Sequence, residues 1–416
     1  MNIFYLSFAY IRARALTNVL LVSLLAIGMA TLVLLTHFGH QAEQRLAGDA
    51  KGIDLVVGAK GSPLQLILST VYHTDIPTGN ISVRDAEAIR RLPEIASTIP
   101  MALGDSYRGF RIIGSEASYI SLYDASIASG RIFQRPMEAV IGHDVAVDAR
   151  LTLDATFAGS HGLEKGGDIH EDRPYTVVGV LAPTGSIIDR LIITPVESVW
   201  KIHSHHAHEE SDHQKDEHAH KDEHNEQHVH EEHITGREIT ALLVKYKSPV
   251  SAISVPRKIN QTTALQAASP AFEITRLLVM LGIGIDTLRL FAIIISASAV
   301  IGLLVSIYQS MQQRTYDIAL MRCFGAPAGT IVKQIMCEIT LLLFFGIILG
   351  IGLGHVSLWL LPEILAPLKD FHLNPALLLK EEMALAAVIF FSGTLVSLIP
   401  AFMAYRVDVS RTLARA

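Results

Sequence analysis

Four long apolar segments are the feature that most constrains the fold of this chain. They cover residues 16–38, 287–311, 331–361 and 383–405. At about 1.5 Å of rise per helical residue, each is long enough to cross roughly 30 Å of hydrocarbon. A segment that crosses a bilayer must satisfy its backbone hydrogen bonds internally, which favours helices. The sequence therefore predicts four transmembrane helices, and a composition with 50% hydrophobic and only 18% charged residues agrees.

The basic residues beside these segments predict the orientation in the membrane. They flank the first segment, the connection between the second and third, and the end of the fourth: Arg12, Arg14, Arg314, Arg322, Lys333, Arg406, Arg411 and Arg415. Positive flanks stay in the cytoplasm, so we expect both termini there and a large periplasmic region between the first two helices. The net charge of −6 argues against nucleic acid as a partner.

The apolar segments divide the chain into seven predicted parts. They are a cytoplasmic N-terminus with transmembrane helix 1 (1–38), an extracytoplasmic domain (39–285), helix 2 (286–311), a short cytoplasmic helix (312–330), helix 3 (331–361), a short periplasmic loop (362–382), and helix 4 with a cytoplasmic C-terminus (383–416). The first segment is longer than the apolar part of a signal peptide and lacks a cleavage site, which favours a retained anchor.

The extracytoplasmic domain alternates strand-like and helix-like stretches. Short runs rich in β-branched residues occur at 53–57, 111–113, 139–141, 175–181, 191–193 and 239–244. Ser82 and Asp85 have the spacing of a helix N-terminus, and 252–280 is compatible with a helix that leads into the second span. Both cysteines, Cys323 and Cys337, lie elsewhere, so this domain must be stable without disulfides. The predicted fold class is a four-helix membrane protein with a large mixed α+β domain.

A histidine-rich tract at 203–233 interrupts the strand pattern. It contains eleven of the nineteen histidines: His203, His205, His206, His208, His213, His218, His220, His224, His228, His230 and His233. The tract offers almost no aliphatic surface to bury, so its composition predicts a disordered insert. Imidazole and carboxylate groups suit Zn²⁺, Cu²⁺ or Ni²⁺, and metal binding is one interpretation. A solvated acidic spacer is the other.

The stretch between the second and third spans predicts a short amphipathic helix. Gln313, Arg314, Asp317 and Arg322 form its polar edge, and its apolar face comprises Ile318, Ala319, Met321 and Phe324. The sequence Gly325-Ala326-Pro327 ends this helix. A cytoplasmic helix of this kind can dock into a groove of another protein. From the residues alone, an interfacial connecting helix without a partner is equally compatible.

This stretch resembles a motif of the FtsX-like and MacB-like ABC transporter permeases, the type VII transporters. Seven residues stand at positions that the family pattern E-R-x-x-E-I-G-x-x-R-A-x-G-A specifies: Arg314, Asp317, Ile318, Ala319, Arg322, Gly325 and Ala326. Pro400, Ala401, Ala404 and Leu413 resemble the family's C-terminal pattern. Asp317 replaces the usual glutamate, Val409 stands where a proline is expected, and the histidine tract is no part of the pattern.

The resemblance implies a non-catalytic permease subunit that transmits force between an ATPase and its own periplasmic domain. The ATPase-coupling residues would be Arg314, Asp317, Ile318, Met321, Arg322, Gly325, Ala326 and Pro327. Because the chain has no G-x-x-x-x-G-K-[ST] phosphate loop, ATP would enter only through a partner ABC ATPase. The expected assembly is a permease homodimer or a heterodimer with a paralogue. The resemblance also implies a bacterial inner (plasma) membrane as the location. A periplasmic metal-binding or adaptor protein is a further candidate partner. We assign no cofactor to this chain itself; Zn²⁺, Cu²⁺ or Ni²⁺ at the tract is the candidate if the tract binds metal.

Two other function classes deserve comparison. A membrane-anchored periplasmic metal sensor or scaffold would need no ATP. A periplasmic hydrolase would need a histidine such as His73, His143, His161 or His170 beside Asp75, Asp144 or Asp168. No G-x-S-x-G or H-E-x-x-H signature supports the hydrolase.

Overall fold

The structure is a computed structural model that describes residues 3–160, 172–203, 237–365 and 373–405. The side chains of His203, 316–318, 328 and 403–405 are not among the described groups. The chain divides into two compact units. A membrane unit comprises 1–43 and 279–416, and an exterior unit comprises 44–278.

The helices are given in chain order. They are α1 (Ile3–Ala13), α2 (Ala15–Asp49), α3 (Pro63–Thr70), α4 (Val83–Arg90), α5 (Ser118–Leu122), α6 (His143–Asp148), α7 (Val196–His203), α8 (Ser251–Thr262), α9 (Pro270–Gln313), α10 (Thr315–Cys323), α11 (Ala328–Ile364), α12 (Lys380–Val396) and α13 (Leu398–Tyr405). A 3₁₀ turn covers Ile187–Arg190.

Four helical segments are long and apolar enough to cross a membrane, which confirms the prediction of four spans. They are Ala15–Asp49, Pro270–Gln313, Gly329–Ile364 and Lys380–Phe402. The fourth is not one uninterrupted helix, because α12 ends at Val396 and α13 begins at Leu398. Pro400 accounts for the break, since a proline ring clashes with the carbonyl four residues earlier.

Helix α2 packs closely against α11 along a stripe of glycines. Gly346, Gly350 and Gly354 recur every four residues and therefore share one face of α11. A methyl group at Gly350 would lie 2.5 Å from the Met29 Cβ and 2.8 Å from the Ala26 carbonyl oxygen. Small residues are the usual means by which membrane helices approach to backbone contact.

We predict that Gly350→Ala destabilises the membrane unit and that Gly352→Ala does not. The new methyl at 350 has no space, and overpacking of this kind costs about 1–3 kcal/mol. No atom lies within 4 Å of a methyl at Gly352. Thermal unfolding in detergent should show a lower midpoint for the first variant alone. Equal thermal midpoints of the two variants would show that α2 and α11 can move apart without a loss of stability.

The exterior unit is built on one large sheet. Its strands are β1 (Leu55–Ala59), β2 (Ile81–Ser82), β3 (Ile95–Tyr107), β4 (Phe110–Ser115), β5 (Ile127–Gly130), β6 (Glu138–Ile141), β7 (Thr156–Phe157), β8 (Tyr175–Leu181), β9 (Leu191–Pro195), β10 (Glu238–Ile239), β11 (Ala241–Tyr246) and β12 (Leu265–Ala268). The order in the main sheet is β12-β1-β11-β3-β4-β9-β6-β8-β5, with β7 beside β8, while β2 and β10 form a separate pair. The β4–β9 and β6–β8 pairs are parallel.

The exterior sheet buries apolar side chains on both faces, because alternate residues of a strand point to opposite sides. Val56 of β1 lies in one core cluster together with Leu66 and Ile67 of α3. Its neighbours Leu55 and Val57 lie in the cluster on the other face. The unit therefore has a substantial core without disulfides, as the distribution of cysteines predicted.

The sequence predicted most of these strands but misjudged 252–280. We expected helix there, whereas β12 separates α8 from α9 and pairs with β1. Its four residues are too few for a periodic signal, and β1 offers an edge whose hydrogen bonds override the local preference. The predicted helix beginning after Ser82 is confirmed as α4, and the Ser82 hydroxyl accepts from the Asp85 amide.

Candidate coupling site

The candidate site is the segment 312–330, called the coupling segment from here on. Helix α9 ends at Gln313 and α10 begins at Thr315, so the chain bends at Arg314. A second bend at Gly325–Pro327 leads into α11. A short helix is present where the sequence predicts one, but α10 covers only Thr315–Cys323 of the predicted 312–330.

Arg314 joins three helices at the first bend. Its guanidinium carbon lies 3.6 Å from the centre of the Tyr10 ring on α1, a cation–π contact. Its Nη1 lies 3.5 Å from the Glu338 carboxylate on α11. The prediction that Arg314 forms an exposed polar edge is wrong, because its side chain is only 15% exposed. The tyrosine ring covers it, and the pairing with Glu338 compensates its loss of solvent.

Helix α1 strengthens this bend with two further contacts. The Ser7 hydroxyl donates to the Gln334 carbonyl at 3.3 Å. Arg14, directly after α1, donates to the Ser306 carbonyl at 3.2 Å and to the Gln313 side chain. The N-terminal helix therefore holds the end of α9 and the start of α11 together.

The second bend is a Schellman motif. The amide of Gly325 donates to the Arg322 carbonyl and the amide of Ala326 to the Met321 carbonyl, both at 3.0 Å. This pattern needs a left-handed residue after the helix end, and Gly325 has φ +90°. Pro327 then caps α11, where its missing N–H costs no helical hydrogen bond.

The apolar face of α10 is divided between the core and the surface. Ala319 is fully buried, and Met321 packs against the cluster that contains Leu303, Ile335 and Ile339. Phe324, which we predicted on the same face, is 83% exposed instead. It lies beyond the last turn of α10, where the helical periodicity no longer fixes its direction. The segment thus presents a large aromatic side chain beside a rigid turn.

The other predicted coupling residues are only partly described. Asp317 and Ile318 belong to α10, but their side chains lie outside the described groups. Arg322 is half-buried and has an interaction partner. The predicted metal-binding histidines lie outside the described residues, apart from the backbone of His203 at the end of α7.

A group with the composition of a metal site occurs elsewhere, in the membrane unit. Among the described residues, His37 on α2, His355 on α11 and Glu382 on α12 place their donor atoms within 4.8 Å of one another. Each histidine Nε2 lies 3.1 Å from a different oxygen of the Glu382 carboxylate. Sequence reasoning missed this group because the three residues are far apart in the chain.

His73 does not provide the base that a hydrolase needs. It is buried in the exterior unit, and its Nε2 lies 3.0 Å from the Tyr119 hydroxyl. Burial, and secondarily the charge of Arg111, lower its pKa to about 3. His73 is therefore neutral near pH 7 and a weak proton acceptor.

Two sequence families match this chain over successive regions. The family described as MacB-like periplasmic core domain matches residues 19–262. The family described as FtsX-like permease C-terminal matches residues 289–409. The second match contains the whole coupling segment.

The individual proteins that this chain resembles have low sequence identity to it. Two proteins named macrolide export ATP-binding/permease protein MacB, from Neisseria meningitidis serogroups A and B, are 22% identical over 375 residues, which is 84% of this chain and 52% of each relative. The chain therefore spans about half the length of the curated relatives it matches. The crystal structure of the periplasmic region of MacB from Actinobacillus actinomycetemcomitans has a TM-score of 0.35 and 13% identity, and covers 55% of this chain and 95% of that one. The extracellular domain of the noncanonic ABC-type transporter YknZ from Gram-positive bacteria has a TM-score of 0.29 and 12% identity, with coverage of 52% and 99%.

The matched regions agree with the two units of the structure. Except for β12, the strands of the main sheet lie within the MacB-like match, which also includes most of the first span. The second, third and fourth spans lie largely within the FtsX-like match. The chain belongs to the family of proteins with a MacB-like periplasmic core domain, and its C-terminal part matches the FtsX-like permease family.

Proposed function

We propose that this chain is the permease subunit through which a separate ABC ATPase moves the exterior unit. The observation that carries the proposal is the coupling segment. Phe324 projects from a turn that the Schellman motif fixes on one side, while the Arg314–Glu338 pair anchors the other side of α10. An exposed aromatic side chain on a rigid support suits a docking contact with a partner.

Helix continuity supports the transmission of force. Helix α9 has 44 residues, of which 270–278 belong to the exterior unit and the rest to the membrane unit. At about 1.5 Å per residue it extends roughly 66 Å, and its last residue adjoins Arg314. A displacement of the coupling segment would therefore act directly on a helix that both units share.

The proposed assembly follows the family. We infer a dimer of permease chains, identical or paralogous, with two copies of the ATPase. Both termini and the coupling segment lie in the cytoplasm, and the exterior unit lies in the periplasm of a bacterium. The positive flanks of the spans support this orientation.

We further propose that the histidine tract at 203–233 links the transporter to zinc or another transition metal. Eleven imidazoles and ten acidic side chains supply many possible ligand sets. The tract follows α7, so a metal bound there would act on the exterior unit or pass to a periplasmic metal-binding or adaptor protein.

The native cysteines test the orientation. Cys323 in the coupling segment is exposed, whereas Cys337 is partly buried in α11. A membrane-impermeant maleimide should label the protein in inverted vesicles and leave it unlabelled in intact spheroplasts. Cys323→Ser should abolish the label and Cys337→Ser should preserve it. Labelling of Cys323 from outside the cell would reverse the proposed topology.

A pair of glycine variants tests the coupling. No described atom lies within 4 Å of a methyl group placed at Gly325 or at Gly329, and of these two glycines only Gly325 has a positive φ. Gly325→Ala therefore strains the turn by about 1–2 kcal/mol, whereas Gly329→Ala does not. A strain of that size lowers the population of the formed turn roughly 5–30-fold.

The readout is the activity of the ATPase reconstituted with the permease. We expect Gly325→Ala to lose most of the permease-dependent stimulation and Gly329→Ala to retain it, with both variants inserted to the same level. A metal sensor or scaffold that needs no ATPase predicts no difference between them. That result would favour the alternative function.

Zinc content tests the role of the tract. The full chain in which all eleven tract histidines are replaced by glutamine keeps its length and its ten acidic residues. We expect the native chain to retain several more Zn²⁺ ions per molecule after gel filtration, because neutral imidazole nitrogen is the stronger zinc ligand. Equal zinc content in the two proteins would leave a solvated spacer as the role of the tract.

A further inference from the structure

A buried histidine–glutamate–histidine cluster joins three helices of the membrane unit. The side chains of His37 and Glu382 are fully buried, and that of His355 is 19% exposed. The two imidazole rings meet edge to face with their centres 5.1 Å apart. The Glu382 carboxylate lies between them, with Oε2 toward His37 and Oε1 toward His355.

The hydrogen bonds of His355 fix where its proton lies. Its Nδ1 is 2.6 Å from the Pro375 carbonyl oxygen, which can only accept, so Nδ1 carries the hydrogen. In the neutral ring the Nε2 lone pair then faces a carboxylate oxygen at 3.1 Å. Two electron pairs at that distance repel, and a cation between them removes the repulsion. The cation is either an additional proton or a metal ion.

The surroundings of His355 match the outer shell of a metal site. Metal-bound histidines usually donate their second ring N–H to a carbonyl or a carboxylate, which fixes the ring and its tautomer. Here Pro375 provides the carbonyl. Gln41 on α2 holds Asn374, the residue before Pro375, through two hydrogen bonds. The Gln41 side-chain oxygen accepts from the Asn374 backbone N–H at 2.7 Å, and the Gln41 side-chain amide donates to the Asn374 backbone carbonyl at 3.3 Å.

One ring nitrogen of His37 has no partner among the described residues, whether or not a metal binds the cluster. Its Nδ1 is buried, and no described residue forms a hydrogen bond with it. If Nε2 donates its hydrogen to Glu382, Nδ1 is an unsatisfied acceptor in the interior. A ring whose Nε2 binds a metal instead carries its hydrogen on Nδ1, which is then an unsatisfied donor among the described residues.

The donor set selects the class of ion. Two imidazole nitrogens and one carboxylate oxygen, with a further position open, are typical of zinc. With metal–ligand distances of about 2.0–2.2 Å, neighbouring ligand atoms in a tetrahedral site lie roughly 3.3–3.5 Å apart. The two histidine–carboxylate contacts are 3.1 Å, and the three donor atoms lie within 4.8 Å of one another, so an ion that binds here would draw them closer together. Calcium and magnesium prefer sites made of oxygen alone.

We propose that His37, His355 and Glu382 form a transition-metal site, with Zn²⁺ as the fitting ion, that clamps α2, α11 and α12 together. The site is distinct from the histidine tract and does not rest on the proposed function. Metal occupancy would fix the relative positions of three of the membrane helices.

The test uses the full chain with the eleven tract histidines replaced by glutamine, so that the tract does not mask the site. After treatment with a chelator, the protein is equilibrated with Zn²⁺ and separated by gel filtration. We expect about one Zn²⁺ per chain, and Co²⁺ in its place should give the visible absorption of a site with nitrogen ligands. The thermal midpoint should rise with Zn²⁺, since an ion that binds only the folded state stabilises it.

Three ligand variants and one control are made in this protein. Glu382→Gln, His355→Gln and His37→Gln should each lower the zinc affinity by more than the roughly 10–100-fold that outer-shell changes cost. His40→Gln removes a histidine from the next turn of α2, outside the cluster, and should keep the ion. His355→Gln is the variant least prone to misfold, because His355 is the most exposed ligand.

Two results would overturn the site. One is a tract-substituted chain that retains no zinc, which would mean that a proton holds the cluster together. The other is unchanged zinc content in a folded His355→Gln variant. Neither result depends on ATPase stimulation, so failure here is separable from failure of the coupling proposal.

Discussion

Close packing of α2 on α11 is the constraint on which the membrane unit depends. The glycines at 346, 350 and 354 of α11 allow its backbone to approach that of α2 along the stretch from Leu25 to Val33. Lipid tails offer no hydrophobic gain when two apolar helices associate, so this approach depends on van der Waals contact that only small residues permit. His37 follows Val33 by one turn and His355 follows Gly354 directly, so the same contact brings the two imidazoles together.

At the other end of α11 the organising interaction is electrostatic. Glu338 is almost fully buried, and Arg314 is its partner across the first bend of the coupling segment. An unpaired carboxylate in such a place would cost about 3–5 kcal/mol, so the pair determines where α9 must end relative to α11. The Arg314–Glu338 pair therefore holds the bend, and α10 with its Schellman turn continues from it.

Sequence reasoning succeeded where the physical signal is periodic or local. The four spans follow from the length and polarity of their segments, and α10 follows from its short amphipathic pattern and the Gly325-Ala326-Pro327 stop. It failed where the local structure depends on contacts with elements that are distant in the sequence. Residues 265–268 form a strand because they pair with β1, which the local sequence does not indicate. Arg314 is buried because the Tyr10 ring covers it, and the sequence around Arg314 does not indicate that contact either.

The metal-site candidate shows why a constellation can escape sequence reasoning even when its residues are conspicuous. His37 lies at the end of the first apolar segment, His355 among the small residues of α11, and Glu382 just before the fourth apolar segment. Each has an ordinary explanation alone, as an interfacial or helix-packing residue. The register of α2 on α11, set by glycines that carry no chemistry, brings the two imidazoles together, and α12 adds the carboxylate. A polar residue in a membrane helix is therefore best judged with the small residues that determine what it faces.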